Sequence, residues 1–98
     1  KIPREVISKY GAVSGRVATL MAKAVTRLSK ADFGIGITGI AGPTGGSKSK
    51  PVGTVFIAVH SLHQKICKRF YFKGRRLTIK RKTVHKALEL LKTCLAKN

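Results

Sequence analysis

The sequence predicts an α/β fold, in which a layered sheet of at least three strands carries amphipathic helices packed on its faces. Two segments repeat apolar residues at three- and four-residue steps, as helices do, and three others are short β-branched runs typical of strands. The chain has 98 residues, 43% of them hydrophobic. This predicts one domain over residues 1–98 and excludes a disordered basic tail.

Two helices are predicted in the first third of the chain. Pro3 suits a first helical position and Gly11 can follow a last turn, which indicates a short helix over residues 3–10. Ser14 is expected to cap a longer helix over residues 15–29. The face of this helix that should lie on the sheet carries Val17, Leu20, Met21, Ala24, Val25 and Leu28.

Three strands are predicted in the middle of the chain, over residues 33–38, 52–59 and 65–72. The short polar stretch 61–64 is expected to connect the last two as a hairpin. In the first strand Gly34 and Gly36 alternate with apolar residues, so one face is bare backbone that admits close approach. The third strand mixes polar and apolar residues on both faces, which indicates an edge or partly exposed position.

A final amphipathic helix is expected to begin after Leu77, beyond the break at Gly74. Its predicted apolar stripe consists of Val84, Ala87, Leu88, Leu91 and Leu95, with Leu90 beside it.

The charge of the chain is extreme. Twenty-one Lys and Arg residues oppose three acids, and the formal net charge is +18. Such a chain attracts polyanions, at least non-specifically, so a non-specific polyanion or a nucleic acid is an expected partner. No apolar run reaches the length of roughly 20 residues that a membrane helix needs, so no membrane partner is expected.

Cysteine and histidine spacing predicts neither a disulfide framework nor a metal site. Cys67 and Cys94 are interpreted as reduced thiols of a cytoplasmic protein, because the opening residues lack a signal-peptide pattern. His60, His63 and His85 have no Cys or acid at ligand spacing, so no metal and no cofactor are expected. Cys67 is interpreted as buried strand packing rather than as a nucleophile.

The most informative stretch is residues 38–55, TGIAGPTGGSKSKPVGTV. Its glycines allow positive φ and close approach of backbone N–H groups to a ligand. Successive N–H groups in such turns form concavities that bind phosphate or carboxylate. Loops of this length are usually functional or disordered, and the sequence favours a ligand site.

Two common phosphate motifs are excluded for this stretch. A P-loop needs a second glycine before Lys-Ser/Thr and a helix after it, whereas Ser47 stands at that glycine position and Pro51 prevents the helix. Gly34, Gly36 and Gly39 match the dinucleotide spacing G-x-G-x-x-G. They lie inside the predicted strand, however, and no helix follows them.

Four segments together resemble the CinA C-terminal domain family, the nicotinamide-nucleotide amidohydrolases, whose members are also called competence- or damage-inducible. The segments are YGAVS at residues 10–14, TGIAGPTGG from Thr38, KPVGTV from Lys50, and F-x-G-x-R at Phe72, Gly74 and Arg76. The closing TVHKALELL is similar to the last helix of the family. The resemblance implies an α/β/α domain that hydrolyses nicotinamide mononucleotide (NMN) to nicotinate mononucleotide and ammonia, with no cofactor.

The resemblance also implies how the site is divided. The serine nucleophile and lysine base of the family belong to an upstream segment that these 98 residues do not contain, so residues 1–98 are interpreted as a partial domain with no catalytic residue. The residues that match the family in binding NMN or a related pyridine nucleotide are Thr38, Gly39, Ala41, Gly42, Gly45, Gly46 and Arg76. Arg76 would pair with phosphate, and the alternative that it is solvated surface stays open.

A second function remains open beside this one. Residues 65–76 mix cations with Phe70, Tyr71 and Phe72, a composition found in nucleic-acid-binding strands, although aromatic residues at strand spacing are more often core. The alternative is therefore a basic nucleic-acid-binding module that has lost catalysis. Because a sheet edge is expected to lack its neighbour, the chain is also predicted to associate as salt rises, as a homo-oligomer or with a partner.

Overall fold

An antiparallel three-stranded sheet forms the centre of the fold. The computed structural model describes residues 2–97 and contains helices α1 (Arg4–Tyr10), α2 (Gly15–Ser29) and α3 (Arg76–Lys97) and strands β1 (Phe33–Gly39), β2 (Thr54–Ser61) and β3 (Lys65–Tyr71). The strand order is β1-β2-β3, which places β3 at an edge as predicted. The predicted layered α/β class is confirmed. None of the helices within residues 2–97 is long and apolar enough to cross a bilayer.

The two faces of the sheet carry different helices. Val55, Ile57 and Val59 of β2 belong to the larger apolar cluster, which also contains the buried residues of α3. The alternate residue Ala58 packs with Ala18 and Ala22 of α2 instead. Because successive strand residues point to opposite faces, α2 and α3 lie on opposite sides of the sheet.

The bare face of β1 allows α2 to lie unusually close to the sheet. A Cβ added at Gly34 would lie 2.4 Å from the Ala22 carbonyl oxygen, and one added at Gly36 would lie 2.0 Å from the Ala18 carbonyl oxygen. The two glycines therefore fit against helix backbone, and the sequence-based expectation of close approach at this face is met.

This close contact also decides which face of α2 is buried. The buried residues of α2 are Val17, Ala18 and Ala22. Of the predicted stripe only Val17 is fully buried, and Leu20 and Ala24 are half-buried. Val25 and Leu28 of that predicted stripe are 49% and 82% exposed, and Met21 is also exposed. The prediction was wrong because only small side chains fit between α2 and the glycine backbone of β1.

Helix α3 also buries a different face from the predicted one. It begins at Arg76 rather than after Leu77. Its buried residues are Ile79, Thr83, Ala87, Leu90 and Cys94. The predicted stripe is therefore wrong except at Ala87 and the half-buried Leu91, since Val84, Leu88 and Leu95 are more than half exposed. The face of α3 that packs on the sheet therefore carries Ile79, Thr83, Ala87, Leu90 and Cys94, and Leu88 and Leu95 on the outer face remain exposed.

Candidate functional site

The glycine-rich loop of residues 40–53 joins β1 to β2 and is closed by backbone hydrogen bonds at its base. The Ile40 N–H donates to the Thr54 carbonyl oxygen at 2.9 Å, and the Gly53 N–H donates to the Ile40 carbonyl oxygen at 2.7 Å. Within the loop Gly42 and Gly45 have φ angles of 79° and 99°. These angles are readily adopted only by glycine, so both positions need this residue type.

A row of backbone donors in this loop has no acceptor. Across residues 2–97, no carbonyl or side chain accepts a hydrogen bond from the N–H groups of Ala41, Gly42, Thr44, Gly45 and Gly46. Thr44, Gly45 and Gly46 are exposed, so their N–H groups are open to solvent or to a ligand, whereas Ala41 is half-buried and Gly42 is buried. Successive free N–H groups make the concave, electropositive surface that binds anions.

Thr38 anchors the start of the loop to α2. Its hydroxyl accepts a hydrogen bond from the Ser14 N–H at 3.1 Å and donates one to the Ser14 carbonyl oxygen at 3.0 Å. The Ser14 hydroxyl in turn accepts from the Val17 N–H, which caps α2 as predicted. Lys50 donates to the Val13 carbonyl oxygen on the same side. The structure thus brings three of the four family-like segments together, and the Thr38 hydroxyl has no hydrogen left to donate to a ligand.

Arg76 reaches the loop from the other side. Its Nη1 donates to the Gly42 carbonyl oxygen at 3.0 Å, although 34 residues separate the two in sequence. Arg76 is also the first residue of α3, whose first turn contains no acid. The N-terminus of a helix carries partial positive charge, and the remaining N–H groups of the guanidinium add a full one. Arg76 and the loop therefore form a single electropositive corner.

An apolar cleft of about 330 Å³ opens beside this corner, between the end of β1, the start of the loop and α3. Lys80 is the only charged residue of its lining, which also contains Ile37, Gly39, Ile40, Ala41, Val55, Ile79, Thr83 and Val84. The volume lies at the lower end of small-molecule sites. The sequence prediction included Gly39 and Ala41 but missed the α3 residues, because their place beside the end of β1 depends on how α3 packs on the sheet.

The described residues provide no nucleophile at this cleft. Cys67 lies on β3 with its sulfur 3.6 Å from the Gly15 carbonyl oxygen, which is on the α2 side of the sheet. It is exposed, so the prediction that it is buried was wrong, because β3 is an edge strand. Cys94 is buried in α3 within the larger core cluster. Neither cysteine lines the cleft. The one hydroxyl among the described lining residues, on Thr83, donates to the Ile79 carbonyl oxygen at 2.7 Å and is therefore held by the helix backbone.

Two of the three aromatic residues at the end of β3 pack against the core. Phe70 and Phe72 stack with ring centroids 5.7 Å apart and pack against the larger core cluster. Tyr71 is 55% exposed and stands alone between them. The stretch of residues 65–76 therefore presents cations to solvent but no row of aromatic faces for base stacking.

Known proteins share both the sequence and this architecture. A family model described as the CinA C-terminal domain matches residues 1–95. A CinA-like protein of Syntrophus aciditrophicus is 45% identical over 96 residues, which cover 97% of this chain and 23% of that protein. A CinA-like protein of Thermosipho melanesiensis is 39% identical over 97 residues, covering 97% of this chain and 24% of that protein. The chain thus spans less than a quarter of the length of these curated relatives.

Solved structures of competence/damage-inducible proteins have a similar fold. The competence damage-inducible protein A of Klebsiella pneumoniae is similar with a TM-score of 0.90 at 35% identity, covering 97% of this chain and 59% of that chain. The competence/damage inducible protein CihA of Agrobacterium tumefaciens gives a TM-score of 0.90 at 37% identity, covering 94% of this chain and 57% of that chain.

Proposed function

Because the chain belongs to the CinA C-terminal domain family, we propose that it is the nucleotide-binding portion of a nicotinamide-nucleotide amidohydrolase. The supporting observation is a loop that Arg76 contacts and whose start lines an apolar cleft. Its N–H groups at Ala41, Gly42, Thr44, Gly45 and Gly46 have no acceptor among residues 2–97. An anion site beside an apolar slot suits a molecule with a phosphate at one end and a flat ring at the other. NMN, or a related pyridine nucleotide, has that form.

In the proposed complex the phosphate lies on the loop amides and accepts hydrogen bonds from Arg76. Charge-assisted bonds of this kind are shorter and roughly twice as strong as neutral ones. The guanidinium keeps its bond to the Gly42 carbonyl oxygen, so one residue fixes both the loop and the ligand. The pyridine ring enters the cleft between Ile37 and Ile79, where apolar contact replaces water.

Hydrolysis of the carboxamide needs a nucleophile, a base that activates it, and donors for the oxyanion. Within residues 2–97 the one hydroxyl that lines the cleft, on Thr83, is bonded to the helix backbone, so no activated nucleophile is present there. The proposed role of the chain by itself is therefore binding without turnover, and catalytic groups would come from elsewhere. We also propose a cytoplasmic location, where free thiols such as those of Cys67 and Cys94 stay reduced.

Arg76→Gln is expected to weaken NMN binding about tenfold to hundredfold, because a lost charge-assisted hydrogen bond costs roughly 1.5–3 kcal/mol. Isothermal titration calorimetry with purified protein measures this directly. Arg75→Gln is the matched control, since it removes the same charge one residue earlier and should change affinity by less than about threefold. Arg76→Lys should recover only part of the loss, because lysine lacks the planar fork.

Equal affinity of the Arg76→Gln and Arg75→Gln variants would show that NMN does not use Arg76. Ammonia released from NMN in the same samples should stay at background. Ammonia release above background would show that the chain does contain a catalytic group and would contradict a role limited to binding.

A further inference from the structure

A second concave surface lies at the end of the sheet opposite the glycine-rich loop. This far hollow has a volume of about 530 Å³ and is formed by the end of α2, the start of β1 and the β2–β3 turn. Four cations line it, Lys23, Arg27, Lys30 and Lys65, against the single acid Asp32. A strand of seven residues spans roughly 20 Å, so a mononucleotide on the glycine loop does not reach the far hollow.

These four cations have no partners of their own. In the described part of the chain, residues 2–97, the side chains of Lys23, Arg27, Lys30 and Lys65 make no ion pair or hydrogen bond. All four are exposed and can turn toward a ligand. A recess lined by one sign of charge concentrates ions of the opposite sign and raises the rate at which they associate. The far hollow is therefore expected to attract anions.

His60 lines the same hollow as these cations. Its Nδ1 is buried and has no hydrogen-bond partner among the described residues. Burial lowers the pKa of His60, and the nearby charges of Lys65, Lys23 and Arg27 lower it further. Three cations from two different elements thus face one imidazole of the hollow lining. An anion seated there would offset the mutual repulsion of these charges.

The surroundings favour a long anion over a single phosphate. The end of α2 that borders the hollow is its C-terminus, which presents carbonyl oxygens instead of N–H donors. Asp32 would also repel a compact dianion. A polymer of phosphates avoids both problems, because each exposed cation can meet a different phosphate. His60 is the only ring in the lining, so the hollow offers no platform for stacking single-stranded bases.

We propose that the far hollow binds the phosphodiester backbone of duplex DNA without reading its sequence. The net charge of +18 attracts the DNA duplex to the protein as a whole. The far hollow is the surface on which the duplex then binds. Each phosphate neutralised adds about −0.9 to the slope of log affinity against log salt. Three cations of the hollow should therefore contribute about −3 to that slope.

The test is fluorescence anisotropy of a short labelled DNA duplex, titrated with protein between about 50 and 200 mM salt. The hollow variant Lys23→Gln/Arg27→Gln/Lys65→Gln is compared with Arg81→Gln/Lys92→Gln/Lys97→Gln, which removes the same charges from α3. The hollow variant should lose at least about tenfold in affinity and roughly 2–3 units of salt slope. The α3 variant should lose less than about threefold. Equal losses in the two variants would overturn the proposal in favour of diffuse attraction.

Two further measurements keep the proposal testable if a variant folds poorly. In the unmodified protein, the imidazole NMR signals of His60 should move when the duplex is added, whereas those of His85 on α3 should not. Movement of His85 alone would contradict the proposal. Displacement of the duplex by inorganic phosphate at constant ionic strength would also overturn it, since the hollow would then take a free phosphate. NMN affinity should be unchanged in the hollow variant, which separates this proposal from the proposed function.

Discussion

Gly36→Ala is expected to destabilise the protein by roughly 3 kcal/mol or more. The added methyl carbon would stand 2.0 Å from the Ala18 carbonyl oxygen and 2.7 Å from the Ala22 backbone nitrogen. These are helix backbone atoms, so no side chain can turn away to make room. Helix α2 must move off β1, and the apolar contacts of Ala18 and Ala22 with the sheet are lost.

Denaturant unfolding followed by circular dichroism measures this change. Gly15→Ala is the matched control, because its new methyl group would meet only side chains, Cys67 Sγ at 3.3 Å and Phe56 Cδ1 at 3.4 Å. Both can shift, and alanine favours a helix, so stability should change by less than about 1 kcal/mol. If Gly36→Ala proves as mild as Gly15→Ala, α2 does not lie against β1 at this distance.

The outer stripe of α3, formed by Leu77, Val84, Leu88 and Leu95, is expected to cause association as salt rises. Each of these side chains is more than half exposed, and they repeat at helical spacing. The +18 charge keeps copies apart at low salt, but screening shortens its reach from about 10 Å at 0.1 M to about 3 Å at 1 M. Apolar contact between stripes then outweighs repulsion.

Sedimentation velocity across a salt series tests this, with Val84→Thr/Leu88→Gln expected to remain monomeric where the unmodified chain associates. Both positions are exposed, so unfolding free energy should fall by only about 0.5 kcal/mol. Leu62→Gln is the control, because Leu62 is 84% exposed but lies apart in the β2–β3 turn. A chain that stays monomeric at every salt concentration would show that the outer stripe of α3 does not cause association.

The elements were predictable from sequence, but the faces of the helices were not. Periodicity gives the period of an apolar stripe, and in α2 both the predicted stripe and the buried residues Ala18 and Ala22 repeat at helical steps. The choice between them depends on the partner surface. Gly34 and Gly36 leave no room for Met21 or longer side chains, and that fit exists only once strand and helix are packed together.

The candidate site also has features that were predictable from sequence and features that were not. The glycine loop was predictable because positive φ and free N–H groups are local properties of residues such as Gly42 and Gly45. The contact between Arg76 and Gly42 joins positions 34 residues apart and depends on where α3 begins. Thr38 was predicted as a ligand contact, whereas its hydroxyl is held twice by Ser14, a pairing that no local pattern indicates.

The most direct measurement of the central claim is an NMN titration of the isotope-labelled protein followed through its backbone amide NMR signals. The account predicts saturable shifts of the amides that have no acceptor in the described structure, those of Ala41, Gly42, Thr44, Gly45 and Gly46. The amide of Ser47, which donates to the Lys50 carbonyl oxygen at 2.9 Å, should move much less. Loop amides that stay still while signals elsewhere in the protein shift and saturate would contradict the assignment of this loop as the nucleotide site.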